Sequence, residues 1–339
     1  MKNLGRHGRF GNQIFQYMFL HVYAKRHNLD VQIPPWCGQH LWGTTDPPVT
    51  ANLPTYHERN ANGGMSEQFP PINDEAVNRD WAGYGQFHMS WYRDEQDFIR
   101  SLFTPTAASL ARVSSPLATL KSLGNTLVGM HIRRGDYGRL LYHRTPIHWY
   151  HQLLHQIWPS LNNPVLFVAS QNPGLVNEFV SYDPVTSAEL GVTPLVDPQR
   201  GYCDLAENIQ NKTRSIDPWP DWYLLSQCDV IIMPVTSYSY SASLMNPSLK
   251  AAYRSSVVEM GFESIDVWDT TPMVKQRAEN YRHVPGLVLD HNPPHYWRCP
   301  GCNGMQVLNT GKPCRQCNGI GTVPAPPSQW ANKWKGIKI

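Results

Sequence analysis

The sequence predicts an α/β protein, and three observations carry that prediction. Short apolar runs alternate with helical patterns across residues 127–290. That alternation marks βαβ units and a parallel sheet. One of the runs, Leu127-Val128-Gly129-Met130-His131-Ile132, ends in Arg133-Arg134-Gly135-Asp136-Tyr137. It delivers charged groups where a strand stops, which is where ligands bind in open α/β sheets. Near the N-terminus, a glycine-rich turn, Gly8-Arg9-Phe10-Gly11-Asn12-Gln13, feeds directly into an apolar helix.

Each element has its own warrant. After the glycine turn, Ile14, Phe15, Met18, Phe19 and Val22 recur at helical spacing. Lys25, Arg26 and His27 fill the last turn, and Asn28 is placed to cap it. The N-terminal amides of such a helix can receive an anion. Residues 36–80 are rich in Pro, Gly, Asn and Thr and read as loop. A long loop of this kind is often functional, so it is a candidate recognition surface. Residues 111–126 hold a short helix and a connector. Then LVGMHI, VLFVAS and VIIMP read as strands, and HWYHQLLHQIW, PGLVNEFV and residues 221–228 as helices. Domain organisation follows as a first lobe (1–110), a second lobe (111–295), a cysteine-rich module (296–325) and a tail (326–339).

Adjacent arginines at a strand end suit a diphosphate. Guanidinium groups form bidentate, charge-assisted bonds to phosphate oxygens and do not lose their charge. The formal net charge is +3. That is too small to argue for a nucleic-acid partner. No early apolar run approaches the ~20 residues of a membrane span.

Four of the 7 cysteines form two C-x-x-C knuckles, Cys299/Cys302 and Cys314/Cys317. Four thiolates at this spacing predict one tetrahedral structural zinc, with no open position for catalysis. The module resembles a zinc ribbon. Its scattered basic residues favour stapling or protein docking over nucleic-acid binding. Cys37, Cys203 and Cys228 read as ordinary thiols.

Taken together, GRFGNQ followed by a hydrophobic helix and then HIRRGDY resembles the α1,2-fucosyltransferases and, more broadly, fucosyltransferases with an HxRRxD motif, protein O-fucosyltransferases included. Residues 83–105, 165–179 and 221–244 resemble further segments of that family in the same order. The resemblance implies two Rossmann-like lobes of GT-B type. It implies inverting, metal-independent transfer of L-fucose from GDP-fucose to a glycan hydroxyl. Arg133 would stabilise the departing diphosphate. Gly11, Asn12, His131, Arg134, Asp136, Ser237 and Ser239 would complete the donor site.

No Asp-x-Asp metal motif occurs in the chain. His88, Asp94, Glu95, His143 and His148 are candidates for the base, and the sequence does not choose among them. Members of the family that work in a secretory pathway would carry a signal or anchor. None precedes the glycine turn, so the expectation is a cytoplasmic enzyme. Gln171 and the turn TSYSYSAS depart from the family pattern. They keep two alternatives open: a non-catalytic nucleotide-sugar or glycan-binding relative, and a transferase for another nucleotide sugar.

Overall fold

The computed structural model describes residues 1–58, 77–134, 137, 142–192 and 217–274, and the backbone of 296–298 and 322–324. The chain opens with a turn into helix α1 (Phe10–His27), followed by a single helical turn, α2 (Gly38–Leu41). Two short strands, β1 (Thr55–His57) and β2 (Asp80–Ala82), pair in parallel. Helices α3 (Gln96–Leu102), α4 (Ala107–Ala111) and α5 (Ser114–Ser122) lead to the second half. There β3 (Thr126–Ile132), α6 (Ile147–Ile157), β4 (Pro164–Ser170), α7 (Trp219–Leu225), β5 (Val230–Met233), α8 (Ser237–Met245), β6 (Ala251–Ser256) and β7 (Gly261–Ser264) follow. Finally β8 (Tyr296–Arg298) and β9 (Thr322–Pro324) pair antiparallel.

The α/β class is as the sequence predicts. A five-stranded sheet has the order β4-β3-β5-β6-β7. Its first four strands are mutually parallel and β7 runs antiparallel at the edge. β3 is buried along its whole length, as a central parallel strand covered on both faces must be. The chain leaves β3 toward β4 on one side, then returns to place β5 on the other. The C-terminal ends of β3 and β5 therefore flank a topological switch point, where crevices open.

Side-chain alternation along β3 separates two layers. Val128, Met130 and Ile132 pack with Tyr150, Leu153 and Leu154 of α6. Leu127 joins a larger core that includes α1, α7 and α8 residues such as Phe10, Phe15, Trp222 and Tyr240. That core is continuous from Leu4 to Trp268, so the first-lobe helix α1 and the second-lobe helix α8 share one interior. Among the described residues, the first lobe carries only the two strands β1 and β2.

α1 ends as the sequence predicts. Asn28 adopts a left-handed conformation (φ 52°) and donates its N–H to the Ala24 carbonyl. PGLVNEFV forms a 3-10 segment kinked at Phe179 rather than a regular helix. Strands β6 and β7 are additions to the elements read from sequence. Cys228 is free and buried. Cys37, read as an ordinary thiol, is instead disulfide-bonded. Cys203 and the four cysteines of the zinc-ribbon-like module, Cys299, Cys302, Cys314 and Cys317, lie outside the described residues.

Candidate anion-binding site at the switch point

A cleft of about 570 Å³ opens where the ends of β3, β4 and β5 meet the N-terminal glycine turn. His131 and Arg133 line it from β3, Ser170 and Gln171 from β4, and Thr236, Ser237 and Tyr238 from the turn after β5. Gly8, Arg9, Phe10, Gly11 and Asn12 line it from the opposite wall.

The wall residues bring two helix N-termini to one cavity. α1 begins at Phe10 and α8 at Ser237. No side chain caps α1. The Thr236 hydroxyl caps α8 by accepting from the Tyr238 N–H at 3.1 Å. First-turn amides are donors, and the helix dipole adds partial positive charge there. Arg133 extends that field. Its guanidinium sits 5.3 Å above the Tyr137 ring, which is itself a cleft residue. An anion-accepting cavity is the arrangement that results.

The arginine pair divides its labour. Successive residues of an extended chain point to opposite sides. His131 and Arg133 therefore face the cleft together, while Arg134 is not among the cleft-lining residues. Arg134 donates to the Arg133 carbonyl at 2.9 Å. Burial brings its guanidinium down to about 10, with Tyr150 opposing the shift and Arg144 adding to it. It stays charged at neutral pH on the α6 side of the strand.

His131 is buried, with Nδ1 2.9 Å from the Ser239 hydroxyl. Its backbone carbonyl accepts from the Tyr150 hydroxyl at 3.0 Å. Burial, reinforced by Arg133, pushes the imidazole down to about 3. The ring is neutral at physiological pH, so the cleft's positive charge is not shared with it. Ser239 does not reach the cleft, because its hydroxyl is spent on holding this ring in the interior.

Gly11 lines the cleft for a structural reason. A Cβ there would lie 2.4 Å from the Tyr238 nitrogen and 2.5 Å from the Ser237 carbonyl carbon. Only glycine lets α1 come this close to the start of α8. Asn12 ties the same junction: its Oδ1 accepts from the Ser237 hydroxyl at 2.7 Å and from Gln86 Nε2 at 2.8 Å. Asp136 lies outside the described residues.

None of His88, Asp94, Glu95, His143 and His148 lines the cleft. His88 caps a short 3-10 turn through Ser90, and Glu95 pairs with Lys25 at 2.7 Å. His148 is exposed on α6, while His143 is buried beside Trp149. The cleft's carboxylates, among the described residues, are instead Asp217 and Asp221. Asp217 pairs with Arg112 and accepts from the Trp219 N–H. Burial raises Asp221 to about 6, Ser187 opposing the shift and Asp217 adding to it. The sequence reading missed both acids. The signal available was an Asp on either side of Pro218-Trp219-Pro220, at a helix start and four residues apart.

Fold and cleft together define an α/β protein with a cleft at a switch point, between a parallel sheet and two helix N-termini. The chain is a distant homologue of the galactoside α1,2-fucosyltransferases. It is 32% identical over 149 residues to galactoside 2-alpha-L-fucosyltransferase SEC1 of Bos taurus, covering 40% of this chain and 38% of that protein. It is 24% identical over 263 residues to galactoside alpha-(1,2)-fucosyltransferase 1 of Bos taurus, covering 70% of this chain and 64% of the relative. The chain thus spans less than two thirds of the length of these relatives. No protein-family model matches it. Among solved structures, fucosyltransferase NodZ from Bradyrhizobium aligns with a TM-score of 0.49 at 13% identity, covering 76% of this chain and 96% of that one. Arabidopsis thaliana FUT1 in complex with GDP aligns with a TM-score of 0.43 at 12% identity, covering 86% and 79%.

Proposed function

We propose that the protein is an inverting α1,2-fucosyltransferase of GT-B type that moves L-fucose from GDP-fucose to a glycan hydroxyl. The observation that carries the proposal is the convergence of Arg133 with the N-termini of α1 and α8 on one cleft. In the reaction an acceptor oxygen bonds to the anomeric carbon as the bond from that carbon to the β-phosphate oxygen breaks. GDP leaves, and the acceptor hydroxyl gives up its proton. Negative charge grows on the departing diphosphate, and fixed positive groups aimed there lower the barrier. On this reading Arg133 supplies the guanidinium fork, the helix N-termini supply backbone donors, and no catalytic metal is required. The distant homology to galactoside α1,2-fucosyltransferases supports both donor and linkage.

The test is transfer from GDP-fucose to galactoside acceptors, with and without a chelator, for wild type and Arg133→Ala. The proposal expects chelator-resistant product with an inverted anomeric centre, and its loss in Arg133→Ala at unchanged melting temperature. GDP bound without transfer to any glycan would instead mark a binding protein.

A further inference from the structure

Gln86 has a role that the sequence motifs do not assign. It is fully buried, although it stands outside the set of cleft-lining residues. Its Nε2 donates to Asn12 Oδ1 at 2.8 Å. Its own Oε1 is buried and has no hydrogen-bond partner among the described residues. Leaving that oxygen unmet is costly, while the amide nitrogen is committed to Asn12.

The surroundings fix where Gln86 stands. Gly85 holds φ +65°, and a Cβ there would lie 2.4 Å from Phe19 Cβ. The Glu58 carboxylate accepts from the N–H groups of Tyr84 and Gly85 at 2.6 and 2.9 Å. The Tyr92 hydroxyl donates to the Gly85 carbonyl at 2.5 Å. The turn is clamped on three sides, and Gln86 is presented to Asn12 from a rigid support.

The consequence falls on Asn12. Its Oδ1 is occupied twice, by Gln86 and by the Ser237 hydroxyl. A carbonyl oxygen has two lone pairs, so this one is saturated. Ser237 has committed its only proton to the same oxygen and can offer an anion none. The remaining capacity of Asn12 is its –NH2. That group lies over Gly8, where a Cβ would come within 2.6 Å of Nδ2, and Gly8 and Asn12 both line the cleft.

We propose that Gln86 is a positioning residue of the donor site: by holding the Asn12 carbonyl, it fixes the Asn12 amide so that its –NH2 serves the diphosphate. The inference rests on the reading of the cleft as a GDP site. It assigns the phosphate contact on this wall to Asn12 rather than to the Ser237 hydroxyl.

GDP binding by calorimetry tests it in wild type, Gln86→Leu, Asn12→Ala and the double variant. Gln86→Leu and Asn12→Ala should each weaken GDP about tenfold. If Gln86 acts only through Asn12, adding Gln86→Leu to Asn12→Ala should change affinity less than about twofold. Gln86→Glu provides a second reading should Gln86→Leu fail to fold. Its protonated carboxyl can donate to Asn12 and its ionised form cannot. Measured relative to wild type, GDP affinity of Gln86→Glu should recover as pH falls. Equal losses from Gln86→Leu in both backgrounds, or a flat relative pH profile in Gln86→Glu, would overturn the inference alone. A wild-type protein that binds no GDP would overturn the reading of the cleft, and this inference with it.

Discussion

His131 Nδ1 and the Ser239 hydroxyl lie 2.9 Å apart in the interior, joining the end of β3 to the first turn of α8. This pair makes folding sensitive to acid. The imidazole is held down to about 3 when folded, against about 6.5 when unfolded. Between those values the unfolded chain binds the extra proton. Stability from this group is therefore complete above about pH 6.5 and is lost as pH falls toward 3, at no more than about 1.4 kcal/mol per pH unit. Replacing His131 with Gln should flatten that part of the profile in urea denaturation measured from pH 4 to 7.

Asp221 contributes with the opposite sign. Its carboxyl is raised to about 6 in the folded protein, so the folded state is the better proton binder below that value. Its contribution to stability therefore falls as pH rises from about 4 to 6. Asp221→Asn should raise the melting temperature at pH 7 and leave it unchanged near pH 4. A melting temperature at pH 7 that does not rise would contradict the assignment.

Ser239→Ala separates support from ligand contact. The substitution leaves a buried ring nitrogen without its partner, at a cost of roughly 1–3 kcal/mol. Chemical denaturation should register that loss. GDP affinity measured well below the melting temperature should change little, because Ser239 does not line the cleft.

Gly11→Ala should be worse than its size suggests. The new methyl would meet backbone atoms of Ser237 and Tyr238 at 2.4–2.5 Å, and backbone cannot swing aside as a side chain can. Forcing extra volume into a packed junction costs roughly 1–3 kcal/mol. The same shift would part the two helix N-termini, so GDP affinity should fall together with stability. Affinity that survives a stability loss would show that the α1–α8 contact does not shape the site.

Much of this was legible in the sequence because hydrophobic runs and helical periods report directly on burial. LVGMHI, VLFVAS and VIIMP became β3, β4 and β5, and the Asn28 cap formed as its position suggested. β6 was not legible because Ala251–Ser256 carries an arginine and two serines. Arg254 is buried there because Glu263 pairs with it at 2.8 Å from the adjacent strand β7 and the Thr271 carbonyl accepts from its Nη1. That compensation exists only once the strands pair. The inequality of Arg133 and Arg134 was available in principle, since residues two apart share a face of a strand and neighbours do not. The Asn12 junction was not, because it joins positions as distant in sequence as Gln86 and Ser237.

The measurement that bears most directly on the central claim is GDP and UDP binding by calorimetry to wild type, Arg133→Ala and Arg134→Ala. Wild type should bind GDP selectively, and Arg133→Ala should lose that binding. Arg134→Ala should keep near-wild-type GDP affinity, because the Arg134 guanidinium is not among the groups lining the cleft. Equal loss in both variants, or binding indifferent to Arg133, would contradict the assignment of the cleft.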